Sequence, residues 1–317
     1  MKPSCVIVGL DGFDPDVLAN LMVFYRNCGL DVVMSPHPMD CDLLVIQRGT
    51  YQAQRFEARA ARCHIYDYAA LGTSDLFAAF PNIRESFVIA PIEASGRLKP
   101  PHLIQSLPPV VSSLWHDRRR VRPPPRYSIV HVGHRKPNLE RDPALLQVDE
   151  LARRGDCHFW GKGWEAVSSN PDTIHGPASL HECQRIYRHA GCAVGVMYPF
   201  QRTRTISGRM WQGPLNGCRV LSEALPAGLN LPGVARTDSF LHCGDALSSM
   251  ADGPELVEAA CGYWNEITRE LADRLSLAYR SPNSIEAHAG YLRWVYSRHV
   301  KINAKKPIKA TLRLLRA

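Results

Sequence analysis

Short apolar runs, separated by turns marked with glycine, proline or charge, set the rhythm of the first hundred residues. The first run, 5–9, is followed by Asp14-Pro15 and by apolar positions at helical spacing over 17–25, where aspartate caps and proline suits a first turn. Further runs at 30–34 and 43–46 end at Ser35-Pro36-His37-Pro38 and at Gln47-Arg48-Gly49. Residues 54–62 read as a helix, and 64–66 and 87–89 as strands. Short strands alternating with helices predict a parallel sheet covered on both faces.

Between 107 and 126 the pattern breaks. Pro108-Pro109, Arg118-Arg119-Arg120 and Pro123-Pro124-Pro125 do not fit inside regular elements, so the stretch reads as a linker between domains. A second series then begins: strand 128–132 ending in Gly133-His134-Arg135-Lys136, and helix 143–154 with Gly155 as its stop. Strand 157–160, helix 182–189, strand 192–197, helix 208–215 and strand 219–222 follow. From Pro254 onward the helices are long enough for one to cross back over the first domain. The expected architecture is α/β, with two Rossmann-like, doubly wound domains at 1–120 and 121–285, then a crossing helix and basic tail at 286–317.

Composition agrees with two packed domains, since 317 residues with 45% hydrophobic content suffice for two cores and exclude a disordered or fibrous chain. No apolar run near the start is long enough for a signal-peptide core, and none reaches the roughly 20 residues that cross a bilayer. Ten cysteines without a CxxC pair suit a reducing compartment, here the cytoplasm, and read as small core residues. The net charge of +8 is uneven: Lys301, Lys305, Lys306, Lys309, Arg313 and Arg316 fall in the last stretch, 301–317, which has no acid. The body is nearly balanced, which speaks against nucleic acid as a partner. In that tail Ile308, Leu312 and Leu315 share one side at helical spacing, a pattern for a basic amphipathic helix on the anionic inner face of a membrane, or for a solvated end.

In open α/β sheets ligands bind beyond the carboxyl ends of strands, so candidate chemistry is sought there. Gly133-His134-Arg135-Lys136 offers close backbone approach and two fixed cations for a diphosphate, or an ordinary surface turn. Phe159-Trp160-Gly161-Lys162-Gly163-Trp164 places a lysine between glycines, with aromatic faces able to stack on a base or a sugar, or else two core tryptophans beside a tight turn. In Thr203-Arg204-Thr205-Ile206-Ser207-Gly208-Arg209-Met210-Trp211-Gln212, small residues precede a helix start. Arg209 in its first turn suits bidentate phosphate binding, and Gln212, three residues on, suits a ribose.

The stretches 127–133, 157–164 and Ser207-Gly208-Arg209-Met210-Trp211-Gln212-Gly213-Pro214-Leu215, continuing to Ser222, resemble in order the motifs of spore-maturation-protein-type (CgeB-like) GT-B glycosyltransferases. The resemblance spans about 105–300 and implies a GT-B fold whose two domains face a cleft. It also implies transfer of sugar from a nucleoside diphosphate sugar to a glycan, lipid-linked or other acceptor, with neither metal nor resident cofactor. The donor-binding set it implies is Gly133, His134, Arg135, Lys162, Trp164, Tyr198, Ser207, Gly208, Arg209 and Gln212. His134, Arg135, Lys162 and Arg209 would meet charge on the leaving diphosphate. The chain departs from the family where Trp211 and Gln212 stand for its phenylalanine and glutamate. GT-B enzymes of inverting type draw a base from the first domain, where His37 and Asp11 are the candidates, with Asp14 and Asp67 near strand ends. Asp14-Pro15-Asp16 resembles the metal-binding Asp-x-Asp of the other large glycosyltransferase fold, but its place at a helix start assigns it to capping. Two other readings stand beside this one: a nucleotide-sugar epimerase of the same plan, and a degenerate glycan- or nucleotide-binding module motivated by Gln212.

Overall fold

A computed structural model describes residues 4–8, 15–47, 57–67, 82–90, 103–111, 122–135, 139–197, 199–202, 205–242 and 244–280. The chain divides into two compact units, one of 1–114 with 267–317 and the other of 115–266.

In the first unit β1 (Cys5–Val8), α1 (Pro15–Asn27), β2 (Val32–Ser35), β3 (Cys41–Gln47), β4 (Ala60–Tyr66), β5 (Ile83–Ala90) and β6 (Leu103–Gln105) build a six-stranded sheet in the order β2-β1-β3-β4-β5-β6. Every pairing is parallel, for example Cys5↔Leu43 and Ile46↔Ile65. Strand side chains alternate between two faces, so Cys5, Ile7, Leu43 and Val45 pack with Leu18, Leu21, Met22 and Tyr25 of α1, while Val6, Val8, Leu44 and Ile46 form the core of the other face. The helix expected over 54–62 is corrected at its end, because Ala60, Ala61 and Arg62 open β4. Pairing with β3 on one side and β5 on the other overrides the helical preference of Ala-Arg-Ala. The start of the expected linker is likewise core: Val110 and Val111 are fully buried, and Val111 N–H donates to Asn20 Oδ1 at 2.8 Å.

Under α1 lies a buried polar group. Tyr25 Oη is 2.7 Å from His64 Nδ1 and 2.8 Å from Tyr66 Oη. Burial, with Arg62 adding like charge, lowers the His64 pKa to about 3, so the ring is neutral.

The second unit holds β7 (Tyr127–Val132), α2 (Pro143–Arg154), β8 (His158–Trp160), α3 (Leu180–Arg188), β9 (Ala190–Gly195), α4 (Arg209–Leu215), β10 (Arg219–Ser222), β11 (Val234–Arg236) and α5 (Gly244–Ser248). The boundary between units falls inside α6 (Gly253–Arg274). Its sheet is parallel, in the order β11-β10-β9-β7-β8. Local signals explain the best-defined helix: Asp142 caps α2 by accepting from the Ala144 and Leu145 N–H groups, Pro143 starts it, and Gly155 ends it at φ 72°. Seven of the nine described cysteines are buried, among them Cys157, Cys192 and Cys218 in this unit.

Candidate functional site

The order of the second sheet reverses direction between β7 and β9, the place where doubly wound folds open a crevice at the carboxyl edge. The two strands pair as far as Val130↔Ala193. One residue on, where the paired register has ended, the buried His131 ring bridges the two strands: its Nδ1–H donates to the Val194 carbonyl at 3.1 Å. Beyond this point each strand carries a glycine, Gly133 and Gly195.

Arg209, the first residue of α4, fills the space that these glycines leave. A Cβ on Gly195 would stand 1.9 Å from Arg209 Nη1 and 2.3 Å from its Cδ, and a Cβ on Gly133 would stand 3.4 Å from Nη2. The guanidinium therefore lies across the crevice, over one lip and against the other. Its Nη1 is buried and makes no hydrogen bond among the described residues, and the same holds for Ser207 Oγ two residues earlier. A buried donor without an acceptor costs about 1–3 kcal/mol, a cost that an anionic ligand accepting from it would remove. Because α4 has only seven residues and Gly208 gives it no side-chain cap, the weight falls on these side chains rather than on a helix dipole.

A second loop closes against the first. Gly161, at φ 153°, lies so near that a Cβ would be 2.1 Å from the Gly133 carbonyl oxygen. Gly133 N–H donates to the Trp160 carbonyl and Arg135 N–H to the Lys162 carbonyl, while Lys162 N–H donates to His134 Nδ1 at 2.9 Å. With Nδ1 accepting, the N–H that the His134 ring can offer is at Nε2. His134 and Lys162 are both exposed at this edge.

Other expected ligands have different work. The Arg135 guanidinium binds Asp149 in a fork, Nε to Oδ1 at 3.0 Å and Nη2 to Oδ2 at 2.8 Å, and this pairing holds its pKa above the ordinary value. It ties the turn to α2 and is not turned to a phosphate. Trp164 is fully buried against Phe159, with ring centroids 4.4 Å apart, and its Nε1–H donates to the Gly133 carbonyl at 2.8 Å. It props the turn from below and has no open face for a base. Trp160 is stacked on His175 at 4.3 Å. Gln212 is 9% exposed, so most of its amide is enclosed. Tyr198, Asp11 and Asp14 lie outside the described residues. His37 is exposed after β2, in a turn closed on itself, where Ser35 Oγ–H donates to the His37 carbonyl at 2.6 Å. Asp67, after β4, is 2% exposed.

Sequence reasoning missed Gly195, His131, Arg202, Asp142 and Glu223. Arg202 Nη2 donates to Asp142 Oδ1 at 2.6 Å and its Nε donates to Glu223 Oε1 at 3.0 Å. Gly195 and Glu223 stand at the ends of β9 and β10, so the rule that led to Gly133 would have found both. Among the described residues, no three or more of His, Cys, Asp and Glu gather where they could hold a metal ion.

No family model and no curated protein matches the chain. Among solved structures, AviGT4, a glycosyltransferase involved in avilamycin A biosynthesis, superimposes with a TM-score of 0.51 at 11% identity, over 86% of this chain and 97% of that one. An alpha-glucosyltransferase solved with UDP and a 13-mer DNA containing a HMU base gives 0.51 at 13% identity, over 87% of this chain and 100% of that one. The chain has the GT-B fold. Each unit is a Rossmann-like α/β body, and Arg209 lies at the switch point of the second.

Proposed function

We propose that this protein is a glycosyltransferase that binds a nucleoside diphosphate sugar at the carboxyl edge of its second unit and transfers the sugar to an acceptor hydroxyl. The observation that carries the reading is the Arg209 guanidinium, laid over Gly195 and against Gly133 with a buried Nη1 that has no acceptor among the described residues. The GT-B fold supports it, as do the resemblance of its motif order to the spore-maturation-protein type and the two structural neighbours, both glycosyltransferases and one bound to UDP.

In this reaction the acceptor hydroxyl gives up its proton to a base and its oxygen attacks the anomeric carbon as the bond from that carbon to the diphosphate breaks, and negative charge gathers on the leaving diphosphate. Arg209 offers a planar fork of N–H donors to it, His134 offers its Nε2–H and Lys162 a mobile point charge. These groups let the reaction run without a metal, so turnover persists in EDTA. Gly133 and Gly161 let the backbone approach the phosphates, Ser207 adds a hydroxyl, and Gln212 offers an amide corner to the ribose.

The acceptor is a glycan, a lipid-linked molecule or another hydroxyl compound, and the basic stretch 301–317, which like the expected crossing helix lies outside the described residues, is the part that would meet anionic membrane at the cytoplasmic face. Among the described residues no helix is long and apolar enough to cross a membrane. Deletion of 301–317 then lowers co-sedimentation with anionic liposomes, and equal sedimentation of both forms would refute the anchor.

The direct test is a thermal-shift screen against UDP, GDP, dTDP, CMP and ADP with their common sugars. A ligand at 100 times its Kd adds about 2.7 kcal/mol to stability. A shift with one nucleotide, lost in Arg209→Ala, is expected; no shift with any of them would overturn the donor site. Binding with neither hydrolysis nor transfer would turn the reading to a binding module, and isomerised donor without acceptor would turn it to an epimerase.

A further inference from the structure

Arg202 stands seven residues before Arg209, where three loops of the carboxyl edge meet. Asp142, which it binds at 2.6 Å, belongs to the segment between β7 and α2 and also accepts from the Ala144 and Leu145 N–H groups. Glu223, bound at 3.0 Å, follows β10, and the same Oε1 accepts the Met197 N–H at 2.6 Å from the loop after β9. Its Oε2 accepts from Ser222 Oγ at 3.3 Å. The three charged side chains are largely enclosed, with 22%, 8% and 11% of Arg202, Asp142 and Glu223 exposed.

Enclosing one cation and two carboxylates is a poor way to stabilise a fold, because desolvation offsets most of the attraction and apolar residues of similar volume serve as well or better. What such a network supplies is geometry, since each partner is held by several directed bonds at once. The geometry it sets lies beside the crevice. Ser222, the residue before Glu223, pairs with Gly195 across β10 and β9, and Gly195 is the residue that the Arg209 guanidinium covers. From Arg202 the chain returns to Arg209 by a short path that is itself tied back, with Thr205 N–H donating to the Gln201 carbonyl at 3.0 Å.

We infer that Arg202 is a positioning residue of the donor site, a clasp that locks the loop after β9 to the loops after β7 and β10, so that Ser207 and Arg209 meet the diphosphate already in place. The inference rests on the donor-site reading above. A loop ordered before binding spares the ligand the cost of ordering it. With the clasp broken, bound donor must supply that ordering, so affinity suffers more than turnover at saturation.

The test uses the full chain with Arg202→Gln, Arg202→Lys and Glu223→Gln. Hydrogen exchange without nucleotide reads the clasp alone: amide exchange at Met197 and over 205–210 is expected to speed up about tenfold or more, while Val194 and Val220 in the strands stay protected. Nucleotide Kd and donor KM are expected to rise about tenfold, with a smaller fall in kcat. Arg202→Lys, a point charge that cannot span both acids, should fall between wild type and Arg202→Gln. Unchanged Kd and KM in the variants would overturn the clasp while leaving the donor site standing. Exchange that rises evenly through the whole unit would show a structural residue instead. A wild-type chain that binds no nucleotide would overturn the donor site, and with it the positioning role of Arg202.

Discussion

Replacing Gly195 by alanine puts a methyl carbon 1.9 Å from Arg209 Nη1, 2.3 Å from its Cδ and 2.7 Å from its Cζ. All three belong to one side chain, so the guanidinium swings out and the main chain stays. Gly195 is not among the residues with left-handed backbone, so alanine is accommodated without strain there. The evicted Nη1 leaves no hydrogen bond behind among the described residues, where it makes none. The stability change is therefore small, within about 1 kcal/mol, and alanine's lower chain entropy offsets part of it. Nucleotide binding is different. Two charge-assisted hydrogen bonds to phosphate contribute at least about 3 kcal/mol together, so their loss weakens affinity by about 100-fold. Calorimetric titration of the wild type, Gly195→Ala, Arg209→Ala and the double variant, with urea melts in parallel, measures both quantities. The double variant should bind no more weakly than either single one, since both changes remove the same contact. Binding by Gly195→Ala within about threefold of wild type, or additive losses in the double variant, would refute this placement of the guanidinium.

Three further outcomes test the framework around the site. The His64 pKa of about 3 lies below the ordinary 6.5, so the unfolded chain takes up a proton that the folded chain excludes. The stabilisation is complete above pH 6.5 and is lost as pH falls towards 3, by about 2 kcal/mol at pH 5; urea melts at pH 7 and 5 should show that loss in the wild type and much less in His64→Gln. Arg135→Ala strands the Asp149 carboxylate, 2% exposed, and should cost about 3 kcal/mol, most of it recovered when Asp149→Leu accompanies Arg135→Met. Trp164→Phe removes the indole N–H that the Gly133 carbonyl accepts, and should lower stability by about 2 kcal/mol in the same melts.

Elements whose signals are local were legible in the chain. Helix α2 runs from Pro143 to Arg154, where Asp142, Pro143 and Gly155 mark its ends, and β10 occupies 219–222 as its apolar run between turns predicts. Caps, turn glycines and period act within a few residues, so they can be read without the fold. Three-residue β6 and β11 and five-residue α5 carry too little period to be seen, and β4 takes Ala60 to Arg62 from an expected helix through pairing with strands far along the chain. At the candidate site, residue type and place named Gly133, Ser207 and Arg209, because glycines and cations after strands follow from the architecture of a doubly wound sheet. The division of labour among them belongs to tertiary structure alone. Arg135 and Arg209 are the same residue type at equally plausible positions, yet the first is spent on Asp149, and the second lies over a glycine on a strand that only the sheet order brings beside β7. Trp164 likewise reads as a stacking face until burial against Phe159 makes it a prop. Sequence by itself determined the alternating α/β plan and the edge on which the candidate residues stand, through short-range preferences of the backbone. Which cation faces the crevice, and which loops a single arginine ties together, was decided by packing between residues distant in the chain, where each donor finds one acceptor and excludes the others.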